Sequence, residues 1–182
     1  MAKLVSENYG EALFSLALEK GLIDSLMEEI QGVQSIFEKN PGFPRLMNHP
    51  NVGRDEKMTV LSNVFESKIS DTLFGFFRVL IHKGRYGAID SIFAYYTERY
   101  KEYHRIGVAY VKSAVELTDE QKQKIEKKLL ETTAYEKMEM HFDVESELIG
   151  GLVIRIGDRV VDSSVRTKLE GLQRNLLKVQ LQ

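Results

Sequence analysis

The spacing of apolar residues changes at Ile106-Gly107, from steps of three and four on the N-terminal side to strict alternation beyond it. No single element carries both periods, because a 3.6-residue period lines one face of a helix and a two-residue period one face of a strand. The sequence therefore reads as an α+β two-domain chain, with an all-α N-terminal domain over residues 1–105 and a small C-terminal α/β domain over residues 106–182. A length of 182 residues suits two small domains as well as one ordinary one.

Within residues 1–105 the only three prolines, Pro41, Pro44 and Pro50, share one ten-residue window, which reads as a corner between long helical stretches. Before it, Tyr9, Ala12, Leu13, Leu16 and Ala17 stripe a first helix that Gly21 can stop, and Leu26, Ile30, Val33 and Phe37 stripe a second. After it, Asp55 is placed to cap a shorter helix with Met58, Leu61, Val64 and Phe65. From Ser70 to Lys83, apolar residues surround the helix, which predicts a central, largely buried element. Lys83-Gly84-Arg85 then reads as a helix C-cap, with cations at the negative dipole end and glycine for the left-handed turn. Ala88 to Arg105 is a last long helix.

Residues 106–182 give the order strand, helix, strand, strand, strand, helix. Thr118-Asp119-Glu120-Gln121 is a capping box opening a thinly apolar helix with Ile125, Leu129 and Leu130. Gly157-Asp158 is turn chemistry for a two-residue hairpin, Ser163 and Ser164 read as N-cap residues, and the last helix is striped by Val165, Leu169, Leu172, Leu176 and Val179. At about 75 residues this domain is near the lower limit for independent stability, so it is expected to rely on a partner or on the first domain.

Several function classes are disfavoured. There is no cysteine, hence no disulfide, thiolate metal site or cysteine nucleophile. The charges nearly cancel, with 25 basic against 27 acidic residues and neither half basic, so phosphate-driven nucleic-acid binding is not expected. The N-terminus reads as neither a secretory signal nor a transit peptide, and the longest apolar run is too short to span a bilayer, which takes about 20 residues. His49, His82, His104 and His141 are far apart and form no metal-ligand grouping. The Gly150 to Asp158 segment leads from loop into strand and lacks the order of a phosphate loop, so close backbone packing at Gly150 and Gly151 is favoured over a ligand site. Arg155 and Arg159, alternating near Asp158 and Asp162, suggest an ion-pair lattice, and Glu145 and Glu147 a solvated loop. No catalytic residue, metal or cofactor is expected. The alternative is a small ligand-binding enzyme using the Gly150 to Asp158 segment.

The stretch from Leu148 to Glu170, L-I-G-G-L-V-I-R-I-G-D-R-V-V-D-S-S-V-R-T-K-L-E, resembles the signature of the δ subunit of F-type ATP synthase, the family of the mitochondrial oligomycin-sensitivity-conferring protein. Tyr9-Gly10-Glu11-Ala12-Leu13, Leu80 to Arg85 and Ser113 to Gln121 agree in order along the chain, although Gly10 stands where the family often has Ala. The resemblance implies a non-catalytic stator, with an N-terminal six-helix bundle on the catalytic head and a C-terminal domain joined to the b subunits of the peripheral stalk. It implies that an N-terminal helix of an α subunit lies in a groove mapping to Tyr9, Ala12, Leu16, Phe76, Val79 and Leu80. The signature maps to Gly150, Gly151, Arg155, Gly157, Asp158, Asp162, Val165, Arg166 and Leu169, where structure is expected more than contact, and Leu172, Leu176 and Val179 are the candidate b-subunit surface. A bacterial subunit on the cytoplasmic face of the cell membrane is implied, touching the membrane only through the complex, without nucleic acid.

Overall fold

The computed structural model describes the backbone of residues 2–179 and the side chains of residues 4–174. The chain divides into two compact units, Met1–Tyr100 and Lys101–Gln182.

The first unit is helical: α1 Ala2–Lys20, α2 Ile23–Lys39, α3 Gly42–Asn48, α4 Arg54–Phe65, α5 Asp71–His82 and α6 Ile89–Tyr103, the last running past the division into the second unit. Its core holds Leu13, Ile30, Leu61, Phe77, Phe93 and Tyr96, all almost fully enclosed. A chain of rings runs through it, with Phe65 stacked on Phe77 at 5.8 Å and Phe77 meeting Phe93 edge-on at 6.1 Å. Such pairs add about 0.5–1.5 kcal/mol each beyond their burial. The Tyr96 hydroxyl donates to the Ile23 carbonyl at 3.1 Å, which keeps a buried polar group satisfied.

Three expectations change here. The proline window is not a bare corner, because it contains α3. Pro44 sits in the first turn of that helix, where a backbone N–H has no intrahelical acceptor to lose. Asp55 is not the cap of α4; Gly53 is, and its N–H donates to Glu56 Oε2 at 3.1 Å. Finally, α5 is not enclosed on all sides: Leu73, Phe77, Leu80 and Ile81 are buried, whereas Phe74 and Phe76 are half-buried and Val79 is 47% exposed. The end of α5 is as expected, since Gly84 holds φ +65° and the N–H groups of Gly84 and Arg85 return to the carbonyls of Ile81 and Leu80 at 3.0 and 2.8 Å.

The second unit contains β1 Ile106–Ser113, α7 Asp119–Thr132, β2 Lys137–Val144, β3 Leu152–Ile156, β4 Arg159–Asp162 and α8 Val165–Val179. The sheet order is β2-β1-β3-β4, with β1 and β2 parallel and the other pairs antiparallel. Alternation sorts the side chains: Ala109, Val111, Met140, Phe142, Ile154, Ile156 and Val161 fall on one face by register, and Tyr110, His141, Arg155 and Val160 on the other. The capping box forms, with Thr118 N–H donating to Gln121 Oε1 at 2.9 Å and Gln121 N–H to Thr118 Oγ1 at 3.4 Å. The core is thin. Among the described residues of this unit, only Ala109, Val111 and Leu148 are buried apolar residues, and α7 buries none.

Candidate partner-binding site

On α1 the small residues face opposite ways. Gly10 is buried against α6, where a Cβ would meet Tyr95 Cδ1 at 2.5 Å, so a tyrosine on α6 requires glycine on α1. Ala12 points outward and is exposed. Tyr9 reaches α5, meeting Phe76 edge-on at 6.4 Å, and Lys20 Nζ donates to Thr72 Oγ1 at 3.2 Å. The N-terminal part of α1 therefore lies by the middle of α5 and its C-terminal end by the start of α5, so the two helices run antiparallel.

Of the expected groove residues, Tyr9 and Phe76 meet and are both half-buried; Leu16 is half-buried on α1, and Ala12 on α1 and Val79 on α5 are exposed. Leu80 does not join them. It is completely enclosed in the core, so it supports this face from beneath and presents nothing to a partner. A shallow cavity of about 320 Å³ opens on α5 between Gly75, Arg78, Val79, His82 and Lys83. Sequence reasoning gave no role to Gly75 or Arg78; Gly75 is the one position of α5 without a side chain, which lets a neighbour approach the backbone.

In the second unit four of the signature residues, Gly150, Gly151, Asp162 and Val165, meet at one junction. Gly151 holds φ +80°, and a Cβ there would stand 2.5 Å from the Ser163 carbonyl oxygen; at Gly150 it would stand 3.1 Å from Val165 Cγ2. Val165 N–H donates to the Gly150 carbonyl and Ser163 N–H to the Leu152 carbonyl, both at 2.9 Å. Ser164 is the N-cap of α8, its hydroxyl accepting from Thr167 N–H at 3.2 Å. Asp162 accepts from Ser164 N–H at 2.8 Å and from the Thr167 hydroxyl at 2.7 Å, and these bonds, the Ser164 backbone first, hold its carboxyl below the ordinary aspartate range. Gly157, at φ +55°, takes the first central position of the β3 to β4 hairpin, where a II′ turn demands glycine, with Asp158 beside it.

The expected ion-pair lattice does not form. Arg155 lies over the Tyr110 ring, 5.1 Å from its centroid, and Tyr110 stacks on His141 at 4.9 Å, a row that follows the strand register. Asp162 serves the helix cap, and neither Arg159 nor Asp158 has an ion partner among the described residues. The acidic run is not merely solvated: Glu145 pairs with Lys112 at 2.7 Å and Glu147 with Arg166 at 3.3 Å, the latter guanidinium also reaching Glu170 at 3.2 Å. Gly150 and Gly151 therefore fit backbone packing against α8, which accounts for them without the ligand loop of the alternative reading.

On α8, Leu169 and Leu172 are exposed, Val165 is exposed beside Gly150, and the side chains of Leu176 and Val179 lie outside the described residues. Ile149, with φ +65° and 65% exposure, is a β-branched residue in a conformation that usually belongs to glycine. Among the described residues no helix is long and apolar enough to cross a membrane, and no group of three or more His, Asp or Glu is placed to hold a metal.

Comparison with known proteins agrees across the chain. Residues 5–176 match the family described as ATP synthase delta (OSCP) subunit. The ATP synthase subunit delta of Lachnoclostridium phytofermentans is 48% identical over 181 residues, covering 100% of both chains, and that of Symbiobacterium thermophilum is 33% identical over 180 residues, covering 99% of this chain and 96% of the relative. In fold, a chain of the Toxoplasma gondii mitochondrial ATP synthase hexamer superposes with a TM-score of 0.71 at 20% identity, covering 94% of this chain and 97% of that one. With the family matched over residues 5–176 and a relative 48% identical over the whole chain, the chain belongs to the ATP synthase delta (OSCP) subunit family, non-catalytic peripheral-stalk components of F-type ATP synthase.

Proposed function

We propose that this chain is the part of the stator that grips the catalytic head: the helical unit, a six-helix bundle, receives an N-terminal helix of an α subunit on its α1–α5 face, and the second unit joins the b subunits. A bacterial synthase on the cytoplasmic face of the cell membrane is the assembly this reading fits. Torque from the central stalk would turn an unanchored hexamer, so the chain's work is mechanical, and what it needs is an interface that does not slip.

The observation that carries the reading is the apolar face left open between two packed helices. Tyr9 of α1 meets Phe76 of α5 edge-on with both half-buried, Ala12 and Val79 are exposed on the same two helices, and a shallow cavity beside Val79 lies over Gly75 on α5, features that suit an amphipathic helix laying its apolar stripe against this face. The test is a titration of the full chain with a peptide of the cognate α-subunit N-terminus, with affinity by calorimetry and location by backbone NMR. Saturable binding with shifts centred on Tyr9, Ala12 and Val79 is expected. Folded protein that ignores the peptide would overturn the groove assignment and move attention to the second unit.

A further inference from the structure

We infer that the second unit holds a separate docking trough for an acidic amphipathic helix, on the sheet face beside α7. The inference rests on the reading that this unit joins the peripheral stalk, and it names both the surface and the chemistry of the chain that would fill it.

Four strands at about 4.8 Å spacing span roughly 14 Å between outer axes, and helices packed on one sheet face lie about 10 Å apart, so a full layer takes two helices. This sheet has one. α7 packs on β2, with Lys122 over the Phe142 ring at 5.6 Å. The β3 and β4 half of the same face is left as a trough whose opposite wall is α7: a cavity of about 900 Å³ reaches Leu129, Tyr135, Ile154, Ile156 and Val161, and a second of about 430 Å³ lies further towards the start of α7, between Ile125 and Leu152. Along α7 this runs from Gln121 to Thr132, about 17 Å at 1.5 Å per residue, the length of a helix of roughly 12 residues.

Charge decides the occupant. The rim carries Lys124 and Lys128 on α7 and Arg159 on the hairpin against Asp158, and Lys124 and Arg159 have no acidic partner among the described residues. The chain's own α8 starts near one end of the trough, where Val165 meets Gly150, but its charged positions are Arg166, Lys168, Arg174 and Lys178 against Glu170 alone. A basic helix between basic rims is repelled, whereas a helix from another chain with leucines in its stripe and carboxylates on its flanks meets both the apolar floor and the cations.

The probe is a 16-residue synthetic helix with leucines at three- and four-residue spacing and glutamates on its flanks, compared with its lysine counterpart, each added to the methyl-labelled full chain. The expected result is saturable binding of the acidic peptide with shifts at Leu129, Ile154, Ile156 and Val161, about tenfold tighter than the basic peptide, as a few exposed ion pairs supply. Lys124→Glu with Arg159→Glu, both exposed, reverses that preference. Equal affinities, or shifts confined to Leu169 and Leu172, overturn the inference. The soluble part of the b subunits separates it from the broader reading: binding that leaves the trough methyls unshifted sinks the trough and keeps the stalk role, while absence of b binding beside a filled trough does the reverse.

Discussion

The Thr167 hydroxyl donates to Asp162 Oδ2 at 2.7 Å, joining the last residue of β4 to the first turn of α8. Because the same carboxylate accepts from Ser164 N–H, one ionised group holds the strand end and the helix start together, and protonation removes acceptor capacity at both. The folded pKa lies below its unfolded value, so the stabilisation is present above the ordinary aspartate pKa of about 3.9 and is lost as pH falls through the lowered value. Asp162→Asn is expected to remove that acid limb. Amide exchange at Val165 to Lys168, followed from pH 6 down to pH 2.5, checks it, and an unchanged profile in the variant counts against the junction.

Gly151→Ala tests the other half of the junction. The substitution forces a Cβ within 2.5 Å of the Ser163 carbonyl oxygen at φ +80°, where neighbouring backbone cannot give way cheaply. A loss of about 2 kcal/mol or more is expected for the second unit, from backbone strain plus overlap. Urea unfolding read from the Val111 methyl reports this unit alone. Gly157→Ala, with positive φ but open space around it, should cost less.

How far the sequence could be read depends on where each signal comes from. The helix ends at Gly84 and Thr118 were legible because capping is a local hydrogen-bond pattern written in neighbouring residues, whereas at α4 the carboxylate of Asp55 drew the cap two residues past Gly53. The strands were legible because alternation is local as well. What stayed hidden is what tertiary contacts decide. The apolar residues around α5 did not reveal that Leu80 is enclosed while Val79 is exposed, since composition alone does not distinguish a core face from a docking face. Gly10 gave no hint that its reason is Tyr95, 85 positions on. The trough could have been anticipated from an inward alternation of Leu152, Ile154, Ile156 and Val161 with a single thinly apolar helix to cover it.

Gly10→Ala is expected to destabilise the helical unit by about 1–3 kcal/mol, the usual cost of overpacking a fitted core, because Tyr95 is also held by its hydroxyl donating to Glu11 at 3.0 Å. Tyr95→Ala in the same chain should remove the clash, so the double variant loses less than the sum of the two single ones. Thermal unfolding of the four proteins gives the coupling, and strict additivity would show that the ring moves aside freely.

Val79 and Leu80 are adjacent yet should fail in different ways. Val79→Asp places a charge on the open face, where it stays hydrated, so the fold is expected to survive while attachment to the catalytic head is lost and ATP hydrolysis by the detached head continues. Leu80→Ala leaves a cavity in the core, at a cost of about 2–5 kcal/mol, but keeps every outward contact, so whatever fraction remains folded should attach normally. Measuring circular dichroism melts beside co-sedimentation with the head separates the two. If Val79→Asp co-sediments like the unsubstituted chain, the α1–α5 face is not the grip; if Leu80→Ala loses attachment without losing stability, the partner reaches deeper than the exposed surface of α5 allows.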